Sequence, residues 1–230
     1  MDVSTPQVSK ESVTFLLQML SSYRWMPGYL DFTQAFHSGD QIQRILFAEQ
    51  PAEGIPGMKP RQLLRLKKCC YGLLDGPYQW YVHLKRLLME ELDYEISQAD
   101  PCVFYLFNKK RDLQRIIGVA TDDLLHGGTE EHGNRMRRIQ GKYKLGKFSQ
   151  GDGRFAGKEV KYDGTTIKLC QPLYTSEKLK VIPLSKERKA EKMSYCTPEE
   201  VTLLRGLLGS LAWLSKETRP DLAGRVALLQ

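Results

Sequence analysis

The spacing of apolar positions sets out most of the elements in this chain. Val13, Leu16, Leu17 and Leu20 keep helical spacing, which predicts a helix over 10–23 that stops before the breaker cluster Trp25-Met26-Pro27-Gly28. A short apolar run then ends at Asp31 and reads as a strand. Pro51, Gly54, Pro56, Gly57 and Pro60 mark a loop, after which Leu63, Leu64 and Leu66 alternate with basic residues. Pro77 suits the first turn of a helix whose apolar stripe is Trp80, Leu84, Leu87 and Leu88. Residues 102–107 and 113–119 read as two strands joined by a polar, basic connection. Phe155 to Tyr162 and Thr165 to Gln171 flank Asp163-Gly164, a strong hairpin signal. Residues 173–182 are predicted helical with Tyr174, Leu179 and Ile182 buried, and the mixed charges of 183–196 predict an exposed linker. Thr197-Pro198-Glu199-Glu200 is a capping box with proline in the first turn, and Leu204, Leu207, Leu208 and Leu211 continue that helix. Arg219-Pro220-Asp221 opens another.

The stretch with most chemistry is Ile116 to Leu125. An alternating β-branched arm leads into Ala120-Thr121-Asp122-Asp123, and Leu124-Leu125 leads out to Gly127-Gly128. Paired aspartates between strands are usually no more than a turn, because both tolerate turn geometry. At the tip of a mostly buried hairpin, however, two adjacent carboxylates are costly unless a positive charge neutralises them. A hard divalent cation with oxygen ligands does so best. Asp31, which ends an apolar run far earlier in the chain, supplies a third carboxylate. Carboxylates converging from distant strands are what two-metal phosphoryl transfer needs: one metal activates a hydroxyl and both stabilise the in-line transition state.

Composition narrows the class. The net charge is +7, which favours a polyanionic partner. The charge is uneven: Arg135 to Lys147 holds six basic residues and no acid, and Lys59 to Lys68 holds five and no acid. Either run reads equally well as a solvated face. Thr129 is placed to cap a helix carrying Glu130 and Glu131 in its first turn, with its basic face turned outward. No apolar run is long enough to span a bilayer, and no signal peptide is visible. The five cysteines form no C-x-x-C pair and predict reduced thiols in an intracellular protein. The four histidines, His37, His83, His126 and His132, lack zinc-ligand spacing and read as surface or supporting residues.

Seven blocks in order resemble the reverse transcriptase of copia-type LTR retrotransposons. They are Asp31 to Asp40 (DFTQAFHSGD), Leu66 to Trp80 (LKKCCYGLLDGPYQW), Ala99 to Phe104 (ADPCVF), Gly118 to Asp123 (GVATDD), Lys144 to Phe148 (KLGKF), Phe155 to Val160 (FAGKEV) and Gly209 to Leu222 (GSLAWLSKETRPDL). The resemblance implies an α+β fold: a polymerase palm-type antiparallel sheet with helices on one face, partial fingers, and a helical C-terminal thumb or connection region. Residues 1–182 would form the polymerase core and 183–230 the helical region. It implies RNA-directed DNA polymerase activity on a primed RNA or DNA template with dNTPs. Asp31, Asp122 and Asp123 would be catalytic and would ligate two Mg²⁺ ions, or Mn²⁺. Ala35, Phe36, Gly72 and Pro77 would bind nucleotide, with Phe36 as the steric gate against a 2′-hydroxyl. Phe155, Gly157, Lys158, Arg137, Arg138, Lys142 and Lys144 would contact nucleic acid. Integrase and ribonuclease H would belong to the same polyprotein, with polymerase sequence before residue 1 and the ribonuclease H after residue 230. The setting would be a cytoplasmic particle or the nucleus, not a membrane.

Two departures stand out. The family usually has glutamine at Asp75 and often arginine at Tyr78, and an acid there would repel a triphosphate. It usually has Tyr-Val where Ala120-Thr121 stands, so primer positioning would suffer. An alternative therefore stays open: a catalytically inactive remnant that only binds nucleic acid through its basic faces. A third reading, an interaction domain with coincidental acids, would leave Asp31 and Asp122 far apart.

Overall fold

The computed structural model describes residues 4–191 and 193–229. The chain forms two compact units, Met1–Gly151 and Asp152–Gln230. The sequence-based division at 182/183 falls inside the second.

The first unit begins with α1 (Lys10–Ser22), β1 (Gly28–Phe32), the short α2 (Ala35–Ser38), β2 (Gln41–Ala48) and β3 (Leu64–Lys68). Then come α3 (Gly76–Arg86), which runs on into one π-helical turn (Leu87–Glu91), β4 (Glu95–Ile96), β5 (Val103–Phe107), β6 (Leu113–Ala120), β7 (Asp123–Gly128), α4 (Glu130–Lys142) and β8 (Leu145–Gln150). Six strands make one sheet in the order β4-β5-β6-β7-β1-β8, with every neighbouring pair antiparallel. β2 and β3 pair separately as a two-stranded ribbon.

Alternation along the strands sorts the sheet's two faces. Leu30, Phe32, Phe104, Ile117, Val119 and Leu124 form one core with Trp80, Leu84 and Leu88 from α3 and its π turn, and with Met136 and Ile139 from α4. Burying each such side chain is worth about 1.5–3 kcal/mol, so this layer anchors the sheet. The expectation of helices on one face only is corrected by α1. Its buried stripe, Val13, Leu16, Leu17 and Leu20, covers the opposite face. It comes so close that a Cβ on Gly127 would lie 2.4 Å from Leu20 Cδ2. Ser9 caps α1, its hydroxyl accepting from the Ser12 N–H at 3.1 Å.

The second unit holds a three-stranded antiparallel sheet of β9 (Gly153–Phe155), β10 (Lys158–Tyr162) and β11 (Ile167–Cys170) in the order β11-β10-β9. Its helices are α5 (Pro172–Lys178), α6 (Lys186–Ala190), α7 (Pro198–Glu217), a 3₁₀ turn (Pro220–Leu222) and α8 (Ala223–Ala227). The hairpin across Asp163-Gly164 forms as its sequence predicts, with Asp163 Oδ1 accepting from the N–H groups of Thr165 and Thr166. The capping box of α7 also forms. Thr197 Oγ1 accepts from the Glu200 N–H at 3.2 Å, and Glu200 accepts from the Thr197 N–H at 2.9 Å.

Some local readings change. α5 buries no residue: Tyr174 is half-buried and donates its hydroxyl to the Ser210 carbonyl, while Leu179 and Ile182 lie beyond the helix. The linker over 183–196 contains α6, pinned by Arg188, which reaches Glu200 at 2.6 Å. Of the two positions left open for the histidines, burial excludes the surface for His83 and His126. The His132 and Glu131 side chains lie outside the described residues, and Thr129 stands at the start of α4 with no side-chain cap bond among the described residues. All five cysteines are free thiols. Among the described residues no helix is long and apolar enough to cross a membrane.

Candidate active site

The candidate acids meet at one end of the six-stranded sheet. Cross-strand register lines up Ala120, Asp123, Asp31 and Lys147 in a single row over β6, β7, β1 and β8. Residues directly opposite in antiparallel strands share a face, so Asp31 and Asp123 lie on the same side of the sheet. Asp122 precedes Asp123 in the two-residue turn, Thr121-Asp122, that joins β6 to β7. All three acids are half-buried.

Asp31 and Asp122 are close enough to repel. Burial first, and the Asp122 charge second, push the Asp31 carboxyl above its ordinary 3.8, with Lys147 pulling it back. Lys147 also sits over the Tyr29 ring, 5.6 Å from its centroid. The two acids that a coincidental pairing would leave apart are therefore neighbours.

Three contacts from elsewhere hold the turn. The Phe32 N–H donates to the Asp122 carbonyl at 3.0 Å. The Trp80 indole N–H donates to the Thr121 carbonyl at 3.0 Å. Gln7 donates to Thr121 Oγ1 at 2.8 Å. Thr121 has φ of 56°, a left-handed conformation that is costly for a β-branched residue, so these contacts keep it there. Trp80 is only 1% exposed, and it packs on Phe32 edge to face and on His83. His83 in turn shares a hydrogen bond with the Tyr143 hydroxyl at 2.8 Å and approaches Asp40 at 3.1 Å. The turn thus stands on an aromatic column reaching through α3 to the surface.

Hard-ion chemistry fits this donor set. Among the described residues no three His, Cys, Asp or Glu side chains converge to hold an ion unaided. Mg²⁺ does not need such a cage, since it is usually bound through one or two carboxylates plus substrate phosphates and water. Two repelling carboxylates at an open sheet end match that pattern.

The other predicted residues scatter. Ala35 is buried at the start of α2, behind Gln34 at φ 55°. Phe36 packs partly on the main core, its ring 5.0 Å from Tyr71, which is 66% exposed. Gly72 is exposed at φ 95°, a conformation suited to glycine, and Pro77 lies in the first turn of α3. Asp75 is not the bare acid that its sequence suggested: it is buried against Arg44 of β2 at 2.5 Å, which offsets its charge. Arg137 and Arg138 on α4 and Lys144 after it are exposed, so that basic face does turn outward. Lys142 is exposed but pairs with Glu91 at 2.7 Å. In the second unit Phe155 is buried, Gly157 is exposed, and Lys158 is buried in an ion pair with Glu217 at 2.5 Å. That burial removes the Lys158 ammonium from the surface.

Sequence reasoning missed Trp80 as a support of the acid turn, because its helical stripe explained it already. It also missed Arg44 as the partner of Asp75, since the two belong to elements that meet only in the fold.

Comparison with known proteins identifies the family. A family model described as "Reverse transcriptase (RNA-dependent DNA polymerase)" matches residues 1–192. The chain is 26% identical over 232 residues to the retrovirus-related Pol polyprotein from transposon RE1 of Arabidopsis thaliana, covering 95% of this chain and 15% of that protein. It is 28% identical over 131 residues to the Pol polyprotein from transposon TNT 1-94 of Nicotiana tabacum, covering 56% of this chain and 10% of that protein. A Ty1-NL2 Gag-Pol polyprotein of Saccharomyces cerevisiae is 25% identical over 174 residues, covering 72% and 9%. The chain thus spans a small fraction of these relatives. With its acids gathered at one sheet end and most of its length matched, the chain belongs to the reverse transcriptase (RNA-dependent DNA polymerase) family, in the form found in copia-type retrotransposon Pol polyproteins.

Proposed function

We propose that this chain is the RNA-directed DNA polymerase part of a retrotransposon polyprotein, and that the six-stranded sheet is its palm. The observation that supports this reading most is the register that sets Asp31 opposite Asp123, with Asp122 in the adjoining turn close enough to raise the Asp31 carboxyl. Residues 1–182 would be the polymerase core, with partial fingers in β2 and β3, and 183–230 the thumb or connection region.

Asp31 and Asp122 would hold Mg²⁺ or Mn²⁺, with Asp123 a partial ligand. When bound, the metal pair lowers the pKa of the primer 3′-hydroxyl and offsets charge on the phosphoryl group under attack. The chain's own residues supply position. Trp80 and the Phe32 N–H fix the turn that carries Asp122. Phe36 would be the steric gate against a ribose 2′-hydroxyl, next to Ala35, which is buried at the start of the same helix. Gly72 and Pro77 shape the start of α3 on the template side. The Arg44–Asp75 pair leaves less net negative charge there than the sequence alone suggests. Arg137, Arg138, Lys142 and Lys144 offer phosphate contacts, which set affinity without sequence preference. In the second unit Gly157 would touch the primer, with Phe155 and Lys158 fixing its turn from beneath.

The test is primer extension by the purified chain on a primed RNA template with dNTPs, in Mg²⁺ and then Mn²⁺. Extension by the parent and none by Asp122→Asn is expected; synthesis retained by the variant contradicts the assignment.

A second reading has its own observation. Ala120 occupies the acid row at the place where family members usually carry an aromatic ring. A chain without primer positioning would be an inactive remnant that binds nucleic acid through α4. It would bind primed template with strong salt dependence and extend nothing.

A further inference from the structure

We propose that Gly146 is a positioning residue for Asp31: a one-residue bulge in β8, together with the missing side chain there, seats the Asp31 carboxylate beside Asp122. The proposal deepens the metal-site reading above and rests on it for its consequence in binding.

The register shows the bulge. β1 pairs with β8 as Gly28 with Gln150, Tyr29 with Ser149, Leu30 with Phe148 and Asp31 with Lys147, and then Phe32 with Leu145. Gly146 is therefore the extra residue, inserted beside the position of Asp31. β-bulges re-aim nearby side chains and interrupt pairing locally. Pairing resumes beyond it, where the Thr33 N–H donates to the Lys144 carbonyl at 3.0 Å.

Space, rather than backbone conformation, sets the constraint at Gly146, and it falls on the end of the Asp31 side chain. A Cβ on Gly146 would lie 2.1 Å from Asp31 Oδ2, 3.1 Å from Thr33 Oγ1 and 3.4 Å from Asp31 Cγ. Gly146 is not in the left-handed region, whereas Gly157 and Gly164 are at φ 76° and 99° with open space around them. Glycine weakens a strand interior, and β8 is an edge strand where a larger residue would otherwise be favoured. Among the described residues, chain neighbours aside, the one atom within 3 Å of that missing Cβ is a carboxylate oxygen of the proposed metal ligand. An alanine at 146 has room only if that carboxylate leaves its seat.

The test has two parts. The first is a metal-free thermal-unfolding cycle of parent, Gly146→Ala, Asp31→Ala and the double variant. Removing the Asp31 carboxylate makes room for the new methyl. The change in Tm caused by Gly146→Ala is therefore expected to be clearly more favourable in the Asp31→Ala background than in the parent. An equal shift in both backgrounds overturns the proposal. The second part is Mn²⁺ binding followed by electron paramagnetic resonance. Gly146→Ala is expected to weaken binding by about tenfold, the scale of losing a support for a ligand. Gly141→Ala, on α4 with nothing within 4 Å of the new Cβ, is expected to leave it unchanged. Unaltered Mn²⁺ affinity in Gly146→Ala overturns the binding consequence. A parent chain that binds no Mn²⁺ overturns the metal reading instead, while the unfolding cycle still decides whether Gly146 seats Asp31.

Discussion

Charge is concentrated in two places in this molecule, and the two are handled in opposite ways. In the second unit Lys158 and Glu217 face each other at 2.5 Å with side chains only 6% and 5% exposed. At the end of the six-stranded sheet Asp31 stands near Asp122, and the nearest help is Lys147 beside it. The first arrangement is closed: each charge has its opposite, and nothing further is needed. The second is open, with like charges gathered and only partly offset. A buried matched pair holds a fold in one arrangement. A gathered, repelling pair costs stability in the absence of a partner, and on our reading that partner is a divalent cation.

Breaking the open site should have the largest effect on activity. Asp122→Asn is expected to reduce primer extension by at least about a hundredfold, the scale of removing one preorganised electrostatic contact to a transition state. Far-ultraviolet circular dichroism of the variant should be unchanged. Breaking the closed site should act on stability instead. Glu217→Ala strands a buried ammonium and is expected to cost about 3–5 kcal/mol in denaturant unfolding, whereas replacing both partners by apolar residues of similar volume should recover most of it. Trp80→Phe lies between the two. It keeps a ring but loses the bond to Thr121, and is expected to cost about 1–3 kcal/mol while reducing extension through the freed turn.

The smallest effect sharpens the contrast through pH. The folded Asp31 carboxyl is raised above 3.8, so between that value and its folded pKa the native state keeps a proton that the unfolded state has released. Metal-free stability then falls as pH rises through this window, the reverse of the usual carboxylate. Asp31→Asn removes that slope. Its Tm is expected to gain on the parent between pH 4 and neutrality, and saturating Mg²⁺ should cancel the gain. Glu200 in the second unit has the opposite sign. Hydrogen bonds from Arg188 and from the Thr197 N–H lower it to about 2, so its stabilisation is present above 4.5 and lost as pH falls toward 2.

What could be read before the structure was local. The α1 stripe, the Asp163-Gly164 hairpin and the Thr197 capping box each lie within a few residues, and each formed as expected. The acids were legible because an apolar run ending in a carboxylate is unusual enough at Asp31 to pair with the Asp122-Asp123 turn. β2 escaped notice because its side chains are mostly exposed and follow no strict alternation. The pairing of β8 with β1 is non-local, and with it the bulge at Gly146 was invisible. Lys158 was assigned to nucleic acid by resemblance, and nothing near it in sequence foretells its ion pair with Glu217. His126 is fully enclosed, and burial pushes its pKa down to about 4, so it is held neutral; sequence alone left surface and supporting positions open for it.

The most direct test of the central claim is Mn²⁺ binding to the metal-free chain, compared among the parent, Asp31→Asn and Asp122→Asn by electron paramagnetic resonance. The account predicts specific binding by the parent that each substitution weakens by at least about tenfold, since each removes one of the few charged ligands. Equal binding by all three chains, or none by the parent in the presence of primed template and dNTP, would contradict it.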